Sequence, residues 1–205
     1  MTIQELDNKL NSPSFQDTEN DLFYNYYIFQ YPASEEYDIR RQIQEFKENL
    51  KRPTNYQDVL TLNLFEEFCT FLDHKRFLRY PSMLHYLLDK EAGGDASCVA
   101  SVQETLTRNA HSPEFLQYIH DRIKEHIEKK GYKHSYVFLY GIGSMFPYLR
   151  VNQFLALYED YNETSKYKII VFYPGQQDGN SFRLFNTLQD NHSYRAILLL
   201  NENEE

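Results

Sequence analysis

Residues 136–144, YVFLYGIGS, place a continuous apolar run directly before two glycines and a serine. An unbroken run of large apolar residues is typical of a parallel strand that is buried on both faces of a sheet. The loops that follow such strands lie at the carboxyl edge of the sheet, where α/β proteins bind ligands. We therefore predict a central strand over 136–140, a tight turn over Gly141–Ser144 and a helix over 145–160.

Strand and helix patterns alternate on both sides of this unit. Runs rich in aromatic and β-branched residues predict strands at 22–30, 58–62, 168–173 and 194–200. Apolar residues at helical spacing predict amphipathic helices at 34–50, 64–72 and 112–127. The alternation predicts an α/β fold with a mostly parallel sheet of about five strands and helices on both faces.

The stretch between the second and third strands is longer than a simple crossover. Pro81 can open one helix, Gly93-Gly94 would end it, and a weaker helical pattern follows over 96–107. We predict a helical insertion at about 75–111. Because 205 residues is a usual length for one domain, we predict a single α/β domain over 1–205.

The charge balance bears on the kind of partner. The chain carries 21 basic and 30 acidic residues, a net charge of −9, and its basic residues occur in scattered pairs. Proteins that grip duplex DNA alone usually concentrate lysine and arginine on one face, so autonomous DNA binding is not expected. Phenylalanine and tyrosine supply an aromatic content of 16%, which suits core filling and also buried interface patches.

Cysteine spacing and hydropathy predict a cytoplasmic protein without a metal. Neither Cys69 nor Cys98 has metal-ligand spacing to the other or to a histidine. The start of the chain, MTIQELDNKL, lacks the pattern of a signal peptide, and no apolar run approaches membrane-spanning length. We expect no membrane association and no cofactor.

The Gly141–Ser144 turn is the first candidate site, because backbone amides at a helix start can hold an anion. A phosphate-binding loop of the hydrolysing kind needs a lysine after its last glycine, which is missing here, and Phe146 stands where a dinucleotide motif has its third glycine. The favoured interpretation is a tight strand-to-helix turn with Ser144 as N-cap and Pro147 in the first helical turn.

The second candidate segment is YPGQQDGN, residues 173–180, whose Pro-Gly and Asp-Gly pairs predict a loop over 174–181. Arg183 could pair with Asp178 or with an anion. We place Arg150 one to two turns into the preceding helix, so that both arginines would reach the carboxyl edge; surface or structural ion pairs are the alternative.

Other catalytic sequence motifs are either absent or lie in the wrong kind of secondary structure. The E-x-K sequence at Glu45–Lys47, which nuclease cores carry on a strand, lies here in an amphipathic helix. No G-x-S-x-G nucleophile elbow is present. Nothing in the sequence identifies a general base or a nucleophile, so we do not expect an enzyme, and a nuclease is the least favoured class.

Two stretches carry a resemblance to a known family: SYVFLYGIGSMFPYLRVNQFLALYED from residue 135, and KIIVFYPGQQDGNSFRLFNTLQDNHSYRAILL from residue 168. Together they resemble the BrxB family of the bacteriophage exclusion (BREX) defence system. The start, YYIFQYPASEEYDIRRQI, is also similar to the first strand and helix of that family. The resemblance covers essentially the whole chain, strongly in the C-terminal third and weakly over 63–111.

The resemblance implies a core, non-catalytic component of a system that also contains the methyltransferase PglX, the alkaline-phosphatase-like protein PglZ and the ATPase BrxC. It implies an adaptor or scaffold that binds other BREX proteins, with PglZ as the first expected partner. The matching motif positions are Gly141, Gly143, Ser144, Pro147, Arg150, Tyr173, Pro174, Gly175, Asp178, Gly179, Arg183, Phe185 and Arg195. All of them except Pro147 and Phe185 form the candidate anion- or partner-binding edge. The alternative is a nucleotide- or anion-binding regulatory module without hydrolytic activity.

Overall fold

A parallel sheet organises the structure, a computed structural model that describes residues 2–16, 26–50, 58–128, 135–163, 166–178, 181–190 and 196–198. The strands are β1 (Tyr26–Tyr31), β2 (Asp58–Asn63), β3 (Ser135–Tyr140), β4 (Tyr167–Asp178), β5 (Ser181–Leu184), β6 (Leu188–Asp190) and β7 (Ala196–Leu198). Five of them follow the order β2-β3-β4-β1-β7, and each neighbouring pair is parallel. The predicted α/β class with a mostly parallel sheet is confirmed.

Helices cover both faces of this sheet. They are α1 (Ile3–Leu10), α2 (Pro13–Gln16), α3 (Glu36–Leu50), α4 (Leu64–His74), α5 (Met83–Ala92), α6 (Ala96–Ala110), α7 (Pro113–Glu128) and α8 (Val151–Tyr158). No helix within the described ranges is long and apolar enough to cross a membrane. Both α5 and α6 fall within 75–111; that this stretch is an insertion, and that residues 1–205 form one domain, stay predictions.

The two sheet faces support two separate cores, because successive strand residues point to opposite sides. On one face Phe138 and Phe172 pack under α1–α3 with their ring centroids 5.1 Å apart. On the other face Val137 and Leu139 pack with residues of α4–α8. All six residues of β3 are buried, as expected for a central strand.

The N-terminal helices are joined to the sheet by two side chains that donate to their backbone carbonyls. The Tyr136 hydroxyl donates to the Leu10 oxygen at 3.1 Å. The Lys168 ammonium donates to the Phe15 oxygen at 2.6 Å and lies 4.8 Å from the centre of the Phe15 ring. These contacts satisfy buried polar groups, which would otherwise destabilise the core.

Candidate functional site

The glycine turn follows β3 at the carboxyl edge of the sheet. Gly141 has φ +71°, a left-handed conformation that glycine adopts without the penalty of a side chain. An added Cβ would overlap Asn63, whose Oδ1 caps α4 by accepting from the amides of Phe65 and Glu66 at 3.2 and 3.4 Å. Gly141 is therefore required both by the backbone conformation and by the start of the neighbouring helix.

The predicted helix over 145–160 begins later than expected. Residues Ile142–Met145 form a 3₁₀ turn, and α8 starts only at Val151. Phe146 is extended, as is usual for a residue before proline, and the Phe146–Pro147 peptide bond is cis. Ser144 is thus not a helix N-cap, and Pro147 does not lie in a first helical turn; both predictions were wrong.

The position predicted for Arg150 was also wrong. It is the N-cap residue of α8 rather than a residue one to two turns inside a helix. Its amide donates to Gln153 Oε1 at 3.1 Å, and its guanidinium lies 5.7 Å from the centre of the Phe146 ring. Both of these contacts of Arg150 lie at the start of α8.

The predicted loop over 174–181 is wrong in its first half, because β4 continues to Asp178 and forms a hairpin with β5. Gly175 allows this pairing: an added Cβ would overlap the Arg183 carbonyl oxygen across the hairpin and approach Tyr173 Cε1 to 2.8 Å. The close approach of the two backbones explains why a Pro-Gly pair stands here inside a strand.

The two motifs meet at Phe185. Its amide donates to the Pro174 oxygen at 2.8 Å, and its φ of +55° turns the chain back over the glycine turn. A Cβ on Gly143 would lie 2.5 Å from Phe185 Cζ and 3.4 Å from Pro174 Cγ. The Phe185 ring therefore packs directly on the Gly143 backbone, and each motif requires the other.

Arg40 was missed by the sequence analysis. Its guanidinium donates to Glu36 Oε1 at 2.8 Å and to the Ser144 hydroxyl at 3.1 Å. Glu36 also accepts a hydrogen bond from the Tyr31 hydroxyl, and burial together with this bond raises the pKa of Tyr31. Arg40 and Ser144 are 104 positions apart in the sequence, so no local signal could have linked them.

Of the remaining predicted residues, Arg183 and Tyr173 are described with their side chains, and the others are described in part or not at all. Arg183 lies exposed on β5 opposite Gln176, and Tyr173 is buried with its ring 5.5 Å from that of Phe182. The backbone of Asp178 pairs with Ser181. The Asp178 side chain, Gly179 and Arg195 lie outside the described residues, so the proposed Asp178–Arg183 pair stays a prediction.

Two amides at the glycine turn are engaged in the turn itself. The Ser144 amide donates to the Gly141 oxygen at 3.2 Å, and the Phe146 amide donates to the Gly143 oxygen at 3.3 Å. With Phe185 on one side and Arg40 on the Ser144 hydroxyl, the turn has the geometry of a packed structural unit. In the part of the chain that the structure describes, no three His, Cys, Asp or Glu side chains group as a metal site.

The fold and the carboxyl edge of the sheet together define an α/β protein whose glycine turn is packed against a hairpin from its own sheet. The family model described as BREX protein BrxB matches residues 60–199, and the chain belongs to the BrxB family. It is a component of the BREX defence system. A curated relative named BREX protein BrxB, from Bacillus cereus (strain H3081.97), is 25% identical over 203 residues, covering 98% of this chain and 96% of the relative. No solved structure gives a significant match.

Proposed function

We propose that the chain is a non-catalytic adaptor of the BREX anti-phage system, acting in the cytoplasm by binding other BREX proteins. PglZ is the first expected partner; PglX and BrxC are the alternatives. The observation that carries the proposal is the match of residues 60–199 to the BrxB family, a region that contains both motifs of the carboxyl edge.

The contacts at this edge favour binding over catalysis. In α/β enzymes the carboxyl edge holds the substrate. Here the corresponding groups serve packing: Phe185 covers Gly143, and Arg40 holds the Ser144 hydroxyl. Because the Phe185 ring lies against Gly143 and Arg40 is already paired with Glu36, the alternative of an anion-binding module has less support.

The partner surface that we infer is the exposed side of the β4–β5 hairpin and its following turn. Phe185 is 37% exposed although its ring packs on Gly143, and Arg183 on the adjoining strand is exposed. Aromatic residues and arginine are enriched among the residues that dominate protein interfaces. A hairpin that is already held by backbone hydrogen bonds would lose little entropy on binding.

Co-expression tests this proposal. The affinity-tagged chain is produced together with the other BREX proteins and purified, and we expect PglZ in the eluate at a fixed ratio to the chain. The variant Arg183→Glu should lower the retained PglZ about tenfold or more, as expected for a charge reversal at an interface. Arg41→Glu is the matched control, since Arg41 is a 68% exposed arginine on α3; it should leave retention unchanged.

Two results would count against the proposal. If the chain elutes alone when all BREX proteins are present, the adaptor role is refuted. If a BREX protein is retained equally by wild type and Arg183→Glu, the adaptor role stands and the hairpin surface is the wrong one.

A further inference from the structure

A second exposed element stands out between α4 and α5. The Leu78 turn, residues 75–80 (KRFLRY), is closed by an isolated antiparallel bridge between Phe77 and Tyr80. The Tyr80 amide donates to the Phe77 oxygen at 2.9 Å, and the Met83 amide donates to the Lys75 oxygen at 2.7 Å. The turn is therefore fixed at both of its ends by backbone hydrogen bonds.

Aromatic packing holds the turn against helix α5. The Phe77 and Tyr86 rings have centroids 4.5 Å apart, and the Tyr80 and Tyr86 rings 5.3 Å apart. The Tyr80 hydroxyl donates to Asp89 Oδ2 at 2.6 Å. Because Tyr86 and Asp89 belong to α5, the turn is anchored to a helix and cannot easily change its conformation.

Leu78 occupies the tip of this anchored turn in a conformation that leucine rarely adopts. Its φ is +48° and it is 86% exposed. A left-handed backbone costs a residue with a Cβ roughly 1 kcal/mol or more, and an exposed leucine gains nothing from burial in return. Glycine would fit such a tip better. Strained residues of this kind, held in place by their surroundings, cluster at binding and active sites.

The charged side chains of the Leu78 turn itself are all cationic, and the nearest carboxylates in the sequence, Asp73 and Asp89, accept hydrogen bonds from Ser82 and Tyr80. Residues 74–88 include three cations and no carboxylate, in a chain whose net charge is −9. Lys75 is engaged with Asn109 Oδ1 at 2.9 Å. Arg76 and Arg79 flank Leu78 and are exposed, and no ion pair joins either of them to another residue in the described ranges. An apolar tip thus stands between two available arginines.

We propose that the Leu78 turn is a second docking site of this chain, in which Leu78 enters an apolar pocket of a partner protein and Arg76 and Arg79 pair with carboxylates on the pocket rim. The proposal rests on the adaptor function and adds to it, since an adaptor that joins two proteins needs a second surface besides the hairpin. A turn held in one conformation before binding loses little entropy in the complex.

The charge balance favours an acidic protein surface over nucleic acid as the partner. DNA-binding proteins commonly neutralise about 6–10 phosphates. Two arginines, one of which lies 5.8 Å from the centre of the Tyr80 ring, would neutralise only a few, and the net charge of −9 opposes the approach of a phosphate backbone. A protein pocket instead gains from burying one leucine and from pairing two arginines at its rim.

The test uses the full chain and, one at a time, each BREX protein that it retains on co-purification, with binding measured by biolayer interferometry; the effects below are expected for the partner of the Leu78 turn. Leu78→Ala should weaken Kd about tenfold or more, because burying a leucine accounts for at least that factor in an equilibrium constant. Arg76→Glu with Arg79→Glu should weaken binding further and reduce its salt dependence. Leu88→Ala, which shortens a leucine that is 56% exposed on α5, is the matched control and should bind like wild type.

Leu78→Gly separates binding from folding. Glycine suits the positive φ, so this variant should keep or raise the melting temperature while binding as weakly as Leu78→Ala. If all Leu78 variants bind every retained BREX protein like wild type, the proposal is overturned and the adaptor role stands. If the wild-type chain retains no BREX protein, the Leu78 proposal and the adaptor function are both refuted. If a fluorescent 30-bp DNA duplex binds wild type but not Arg76→Glu/Arg79→Glu, the site takes nucleic acid, and the protein-pocket proposal is overturned.

Discussion

Gly143→Ala should destabilise the fold through one identifiable contact, the Phe185 ring. The new methyl carbon would lie 2.5 Å from Phe185 Cζ and 2.7 Å from Cε1, well inside van der Waals contact, whereas the next neighbour, Pro174 Cγ, is 3.4 Å away. Phe185 is already 37% exposed, so its ring can swing away from the turn. We expect the ring to give way and the backbone to keep its conformation.

The magnitude follows from the covered surface of Phe185. Full burial of a phenylalanine is worth about 1.5–3 kcal/mol, so exposing the part that is now covered costs about 1–2 kcal/mol. For a chain of this length, that corresponds to a fall of about 2–8 °C in the melting temperature. Phe185→Ala should cost a similar amount. Because the double variant has no ring left to displace, it should cost about 1–2 kcal/mol rather than the sum of the two.

Urea unfolding followed by circular dichroism measures these free energies. The control is Gly141→Ala, whose methyl group would meet Asn63 and not Phe185. Its loss of stability should add to that of Phe185→Ala, whereas Gly143→Ala should not. If Gly143→Ala and Phe185→Ala prove additive, the two motifs are not packed together as described, and the account of the carboxyl edge is wrong.

Three further outcomes are expected. Tyr136→Phe should lower the unfolding free energy by about 1 kcal/mol, because it removes the hydroxyl that donates to Leu10; an unchanged urea midpoint would contradict this. Burial and the hydrogen bond to Glu67 raise the pKa of Tyr118 to about 12, above the value of about 10 in an unfolded chain. The contribution of the Tyr118 hydroxyl to stability is therefore complete below pH 10 and is lost as the pH rises to 12. The urea midpoint of Tyr118→Phe should accordingly fall less steeply than that of wild type between pH 10 and pH 12. An equal slope would contradict the raised pKa of Tyr118. Millimolar ATP or phosphate should leave the melting temperature unchanged, and a rise that disappears in Arg40→Met would show that the glycine turn binds anions after all.

The sequence was sufficient where burial itself sets a pattern. The continuous apolar run 136–140 predicted a strand buried on both faces, and β3 lies between β2 and β4 with all of its residues buried. The helical stripe over 112–127 similarly predicted α7, which spans Pro113–Glu128. Such patterns are local, because a strand covered on both faces and a helix covered on one must each repeat apolar residues at a fixed spacing.

Local preference failed where a tertiary contact decided the conformation. The Pro-Gly pair at 174–175 favours a turn, yet backbone pairing with Leu184 and the close approach of the Arg183 carbonyl hold Gly175 in a strand. Phe146, placed before a proline, delayed the start of α8 to Val151. The Arg40–Ser144 contact joins distant parts of the chain, and sequence spacing carries no information about such a contact.

Purified chain mixed with purified PglZ gives the most direct test of the adaptor role, with the mass of the eluting species measured by light scattering after size exclusion. We predict a complex whose mass is that of both proteins together, and its loss when Arg183→Glu replaces the wild-type chain. Separate elution of the two proteins at micromolar concentration, repeated with PglX and with BrxC in place of PglZ, would contradict it.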